Sequence, residues 1–249
     1  MKTIAIVSQK GGVGKTTTTA ALGAGLHRTS QRILVVDIDP QANASTMLEA
    51  TPGPTIYDVL TGRSKTAQAI QTTAQGSIIP SDARLAEKGV LTGKGAEYRL
   101  KSALEPVKKD FDACLIDCPP NLGALSIAAL TAADGVIVPC RPDRFSLSAL
   151  HEISATLEAV RKATNTGLTV YGVLLTQFNR RSTLHRLMLD ELRQQAEAMG
   201  MTVLDPPIRA TVAFDELQFT NSTIFDTRNG AAEDYQAITS TILKRLKGA

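Results

Sequence analysis

The stretch that most constrains this chain is Ile4-Ala5-Ile6-Val7-Ser8-Gln9-Lys10-Gly11-Gly12-Val13-Gly14-Lys15-Thr16-Thr17. It is a short apolar run, a glycine turn, and then a lysine and threonines that open a helix. The glycines let the backbone curl with its N–H groups inward, and the following helix adds the positive end of its dipole, so an anion fits there. A lysine followed at once by threonine completes a phosphate-binding loop. Lys15 reaches the β- and γ-phosphates and the Thr16 hydroxyl holds Mg²⁺. The alternative is a glycine-rich turn at an ordinary strand-to-helix junction, but the strand before and the helix after supply the context that the phosphate motif requires.

The remaining chain alternates strand-like and helix-like segments. A small, apolar helix is expected over 16–27, followed by a strand over 32–37 whose unbroken apolar run suits a parallel strand buried on both faces. That strand runs into Asp37-Ile38-Asp39-Pro40-Gln41, which places two carboxylates at the strand edge where open α/β sheets bind ligands. A loop, a short helix at 55–60 and another loop lead to a strand over 76–80, and a helix is expected over 96–108. Phe111-Asp112-Ala113-Cys114-Leu115-Ile116-Asp117 is an apolar strand ending in an aspartate, the Walker-B form in which the carboxylate faces the Mg²⁺ water shell. Further strands are expected over 135–139, 168–175 and 203–204, and helices over 125–132, 146–163, 184–199 and 231–247. The order predicts an α/β protein: a mostly parallel sheet with helices on both faces, as one domain over 1–249 with no internal repeat or linker.

Composition narrows the function classes. No tract approaches the ~20 apolar residues of a membrane span, and no cleavable signal segment opens the chain, so a cytoplasmic protein is expected. Cys114, Cys118 and Cys140 sit in or beside apolar runs and read as buried free thiols without cluster spacing. His27, His151 and His185 are too scattered for a metal site. The net charge of +3 is too mild to demand a polyanion partner, so the distribution of charge matters more than its total.

Where the general loop pattern has its first glycine, this chain has Gln9 followed by an extra lysine, Lys10. The result resembles the deviant loop K-G-G-x-G-K-[ST] of the ParA/MinD ATPases. The likeness extends over nearly the whole chain: Asp37-Ile38-Asp39-Pro40-Gln41, Thr55-Ile56-Tyr57-Asp58-Val59-Leu60, Glu97-Tyr98-Arg99-Leu100-Lys101 and Asp117-Cys118-Pro119-Pro120-Asn121-Leu122-Gly123 all resemble ParA motifs. The start of the chain leads directly into the loop, which points to the small ParA class without an N-terminal helix-turn-helix domain. That class implies an ATP- and Mg²⁺-dependent partition ATPase, located in the cytoplasm on the nucleoid. Its ATP-bound homodimer binds DNA without sequence preference, and a ParB-like partner stimulates an otherwise weak hydrolysis; ATPases of this body carry plasmids, chromosomes or protein clusters alike.

The resemblance also implies roles for residues. Gly11, Gly12, Val13, Gly14, Lys15, Thr16 and Thr17 cradle the phosphates, and Lys10 crosses the dimer interface to the partner's nucleotide. Asp39 orients the attacking water, with a helix N-cap as its ordinary alternative, while Asp117 (through water) and Asp37 (one shell further out) serve Mg²⁺. Asn179 and Pro207-Ile208-Arg209 match the adenine-contacting region. DNA contact is expected from Arg180, Arg181 and Arg186 and from Lys244, Arg245 and Lys247, although a solvated helix face would explain either cluster alone. Two other readings share the loop. One is a membrane-associated ATPase of the MinD kind, which the basic tail resembles superficially but with too small an apolar face; the other is an iron–sulfur component of the nitrogenase iron protein kind.

Overall fold

The computed structural model describes residues 1–87, 89–144, 146–217 and 222–248. In chain order the elements are β1 (Lys2–Ile6), α1 (Lys15–Arg28), β2 (Ile33–Asp37), α2 (Asn43–Met47), α3 (Ile56–Leu60), α4 (Thr66–Ala69), β3 (Gln71–Thr73) and β4 (Gly76–Ile79). They continue with α5 (Arg99–Leu104), β5 (Ala113–Asp117), α6 (Ala124–Ala132), β6 (Gly135–Cys140), α7 (Ser146–Ala163), β7 (Thr169–Leu175), α8 (Thr183–Ala198), α9 (Ala213–Leu217) and α10 (Gly230–Leu246).

Among the described residues the strands form one sheet in the order β3-β4-β2-β5-β1-β6-β7, parallel except for the antiparallel edge strand β3. The period of two along the central strands divides the core between two faces. Ala5 and Val7, Leu34 and Val36, and Cys114 and Ile116 pack toward α3 and α5 to α8, whereas Ile4 and Ile6, Ile33 and Val35, and Ala113 and Leu115 pack toward α1 and α10. All five residues of β2 and of β5 are buried, as a strand covered on both faces requires. The three cysteines are buried free thiols, as expected.

Several local expectations are corrected. The helix expected over 96–108 is a 3₁₀ turn (Ala96–Tyr98), α5, and a second 3₁₀ turn (Glu105–Val107), because Pro106 cannot continue an α-helical hydrogen-bond ladder. The strand expected over 203–204 reduces to one bridge from Val203 to Val173. The edge strand β3 and the five-residue helices α2 and α9 were not anticipated.

Candidate functional site

Three strands deliver their carboxyl ends to one place. Ile6 ends β1 beside Asp117 of β5, and Asp117 is in turn paired in register with Asp37 of β2, so the phosphate-loop motif and both carboxylates share the sheet edge. The loop is shaped by Gly12 (φ +69°) and Gly14 (φ +82°), the latter placed directly before α1. A side chain would be strained at either position. The loop leans on β7's outgoing chain: the Thr176 hydroxyl donates to the Val13 carbonyl at 2.9 Å and the Gln177 amide donates to the Gly12 carbonyl at 2.9 Å.

Lys15 is buried, and its ammonium donates back to the Lys10 carbonyl at 3.1 Å. Burial lowers its pKa, opposed chiefly by the charge of Asp117. Asp117 is wholly buried and accepts the Thr16 hydroxyl at 2.8 Å and the Thr19 hydroxyl at 3.0 Å. Burial and the neighbouring Asp37 push the Asp117 carboxyl well above the usual carboxylate range. Asp37 is raised as well, again mainly by burial. Two buried carboxylates beside a threonine hydroxyl are a hard-oxygen set short of positive charge, which suits Mg²⁺. Thr16, Asp117 and, one shell out, Asp37 fit that ion.

Asp37 itself is fully engaged with backbone and serine donors: Ser45 N–H at 2.8 Å, the Ser45 hydroxyl at 2.7 Å and Asp39 N–H at 3.0 Å. One oxygen of Asp39 accepts the Gln41 N–H at 3.0 Å, an Asx turn, whereas the N-cap of the following helix α2 is Ala42 with no side-chain cap, so the helix N-cap expected as the ordinary alternative for Asp39 is not formed. Lys10 sits at the lip of the loop, and in the single chain its ammonium is ion-paired with Asp143, 2.5 Å away on the turn after β6. Nothing local pointed to that contact, since the two residues are 133 positions apart.

The base-contacting candidates converge, because Phe178 bridges Arg209 and so sets Asn179 beside the 207–209 segment. Their side chains are less available than their positions suggest. Pro207 and Ile208 are buried, and the Arg209 guanidinium makes two 2.7 Å hydrogen bonds to Asp234, a buried carboxylate on α10. Asp234 also pairs with Arg180 at 3.2 Å. Of the other basic candidates, Arg181 donates its backbone N–H to Asn179 and Arg186 donates to the Thr183 hydroxyl. Lys244, Arg245 and Lys247 lie at the far end of α10, roughly 15 Å beyond Asp234 at 1.5 Å per residue, so one chain does not join the two clusters. Among the described residues there is no metal-ligating cluster of histidine, cysteine and acidic side chains. Among the described residues no helix is long and apolar enough to cross a membrane.

Comparison with known proteins places this geometry. An AAA domain family model, AAA_31, matches residues 1–170. The sporulation initiation inhibitor protein Soj of Bacillus subtilis is 39% identical over 85% of this chain and 87% of its own. The chromosome partitioning protein ParA of Caulobacter vibrioides is 35% identical over 98% of this chain and 95% of its own. Among solved structures, one titled cobyrinic acid a,c-diamide synthase from Mycobacterium smegmatis with bound ADP and magnesium has a TM-score of 0.87 at 33% identity, covering 99% of this chain and 96% of that one. The cell division ATPase MinD of Pyrococcus furiosus has a TM-score of 0.79 at 26% identity, with 98% of both chains covered.

Proposed function

The chain belongs to the ParA/Soj family of partitioning ATPases, and on that premise we propose that it is an ATP-driven switch for segregating DNA, acting as a single unit over residues 1–249. ATP with Mg²⁺ builds a homodimer, the dimer holds DNA without sequence preference on the nucleoid, and a ParB-like partner triggers hydrolysis and release. The observation that carries the reading is the buried Lys15 beside the Thr16–Asp117 pair, with a second lysine, Lys10, at the rim of the same loop.

The work of each residue follows from phosphoryl-transfer chemistry, which demands positioning and charge neutralisation more than covalent participation. The loop amides over 11–16 and Lys15 hold the phosphates, with Thr17 opening the helix behind them. Thr16 and, through water, Asp117 would hold Mg²⁺, which would supply positive charge against the phosphates. Asp39 orients the attacking water. Lys10 exchanges Asp143 for the partner's nucleotide and so makes hydrolysis depend on dimerisation. Asn179 and the backbone of Pro207, Ile208 and Arg209 meet the base, and Arg180, Arg181, Arg186, Lys244, Arg245 and Lys247 supply the positive charge for DNA once two chains combine.

The test is Lys10→Ala against Lys15→Ala. Lys15→Ala loses ATP binding, because the cation over the β- and γ-phosphates is gone. Lys10→Ala keeps ATP binding but fails to dimerise, and with half the basic residues it binds DNA weakly with a shallow salt slope. Light scattering and DNA titrations at two salt concentrations, with and without ATP, read both. A Lys10→Ala protein that dimerises and binds DNA like the wild type ends the switch reading. The name of the M. smegmatis relative prompts a second reading, an amide-forming synthase. That reading expects ATP turnover to require a carboxylic acid substrate and to ignore DNA.

A further inference from the structure

We infer that Ser45 and Ser81 are positioning residues for the hydrolytic step, holding Asp39 at its N–H and at its carbonyl through a set of buried hydrogen bonds in which Ser81 donates twice and Asp37 accepts from both sides. The inference rests on the proposed role of Asp39. The first link is fixed by β2: Asp37 accepts the Asp39 N–H on one oxygen at 3.0 Å and the Ser45 hydroxyl on the other at 2.7 Å. The second link comes from the neighbouring strand β4, which ends at Ile79 and delivers Ser81 two residues later. Ser81 donates its backbone N–H to the Ser45 hydroxyl oxygen at 2.8 Å and its own hydroxyl to the Asp39 carbonyl at 2.5 Å. Each serine has one hydroxyl proton, and each proton has one destination, so the chain has no competing arrangement.

All four members are buried: Asp37 is 0% exposed, and Asp39, Ser45 and Ser81 are 6%, 6% and 7% exposed. The Asp39 carbonyl also accepts the Ala42 N–H at 2.9 Å, a bond within its own turn, so what Ser81 adds is the tie between that turn and the neighbouring strand, and water does not readily replace it at so buried a site. The carboxylate's bond is local to the turn as well, accepting the Gln41 N–H at 3.0 Å. Ile38 donates to the Asp117 carbonyl at 3.0 Å, and from Asp39 the chain turns through a helical N-terminus in which Ala42 takes a left-handed φ of 54°. Ser81 is therefore the tie from the neighbouring strand to the carbonyl side of the residue proposed to orient water. A misplacement of ~1 Å at such a group costs about 10²-fold in rate without loss of ground-state binding.

The experiment compares Ser81→Ala, Ser45→Ala, Asp39→Ala and a control, Thr66→Val, in full-length protein. Thr66 is also buried and also donates to a carbonyl, that of Ala103, at 2.5 Å, but it lies on α4 away from the loop. For each variant, single-turnover and steady-state ATP hydrolysis, affinity for a non-hydrolysable ATP analogue and the thermal midpoint are measured. Ser81→Ala and Ser45→Ala are expected to lower kcat by about 10- to 100-fold with analogue affinity within about twofold of wild type. Thr66→Val lowers the thermal midpoint and leaves kcat alone. If Ser81→Ala does not fold, Ser45→Ala carries the same test. A slow Asp39→Ala with wild-type kcat in both serine variants overturns the inference and spares the Asp39 role, as does a kcat loss in Thr66→Val equal to theirs. Wild-type turnover in Asp39→Ala overturns that role and the inference with it.

Discussion

The ion pair between Lys10 and Asp143 gives the proposed dimer switch a measurable threshold. For Lys10 to reach a partner's nucleotide it must first leave Asp143, which also accepts the Ser146 hydroxyl at 3.2 Å on the turn into α7. Both members are about one third exposed, 34% and 30%, so solvent screening leaves the pair worth about 1 kcal/mol rather than the larger figure of a buried one. A dimer spends two such pairs, about 2 kcal/mol, which corresponds to roughly 30-fold in the dimer dissociation constant. Replacing Asp143 with asparagine keeps the shape and removes the charge. The Asp143→Asn variant should therefore dimerise at about 10- to 30-fold lower protein concentration in the presence of a non-hydrolysable ATP analogue, as read by sedimentation velocity. The gain should shrink in high salt, where the wild-type pair is already screened. Adding Lys10→Ala in the same chain should abolish it, because no lysine remains to be released. Dimerisation that is unchanged or weaker in Asp143→Asn refutes the reasoning and makes Asp143 a contributor to the dimer instead.

Two further outcomes concern the scaffold. Thr239 is buried in α10 with no hydrogen-bond partner for its hydroxyl among the described residues, and a Cβ on Gly25 of α1 would come within 2.4 Å of that oxygen. Thr239→Val should raise stability by about 1 kcal/mol with an unchanged urea m-value, and Gly25→Ala should lower it by about 1–3 kcal/mol; the opposite order would show that the helix crossing is not the tight one described. The second outcome is a pH dependence. Burial raises the pKa of Asp58 and of Asp82, but hydrogen bonds from Arg84, with help from Thr55, outweigh it and hold both carboxyls below their usual values. Groups with depressed folded pKa contribute stability that is present above their unfolded values, near ~4, and is lost as pH falls through the folded ones. Urea unfolding at pH 7 and pH 3 should show a smaller acid loss for Arg84→Met than for wild type; equal losses would sink the assignment.

What could be read from the sequence was whatever short-range pattern expresses. The apolar runs of β1, β2 and β5 announce strands buried on both faces, and the Lys15-Thr16 pair after glycines announces an anion site, because each is a local consequence of backbone geometry. The edge strand β3 was invisible, since Gln71-Thr72-Thr73 has no apolar alternation and exists only because β4 offers it a partner. The ties that tune the site were invisible for a different reason. Neither Ser81 nor Asp234 was singled out from the sequence, yet Ser81 lies across the sheet edge from Asp39 and Asp234 is the buried anchor of Arg209 and Arg180. Such residues carry no local signature, because only strand order brings them together.

Strand order also places α10, and with it the choice between a lipid surface and a polyanion. The run Ile242-Leu243-Lys244-Arg245-Leu246-Lys247 resembles a membrane-binding helix when read alone. In the fold, Tyr235, Ile238 and Ile242 are buried against α1, Leu243 and Leu246 pack partly on the same core, and the Tyr235 hydroxyl bonds Thr18 at 3.0 Å. An interfacial helix works by giving its apolar face to the bilayer. For α10 that face would first have to leave the core, at about 1.5–3 kcal/mol for each large side chain and so on the order of the whole stability of a domain. What α10 presents outward without unfolding is charge, with Lys244 and Lys247 exposed and Arg245 half-buried. Charge without an apolar face attracts phosphates through screened, salt-sensitive attraction, which supports the DNA contact proposed for Lys244, Arg245 and Lys247 over a lipid surface.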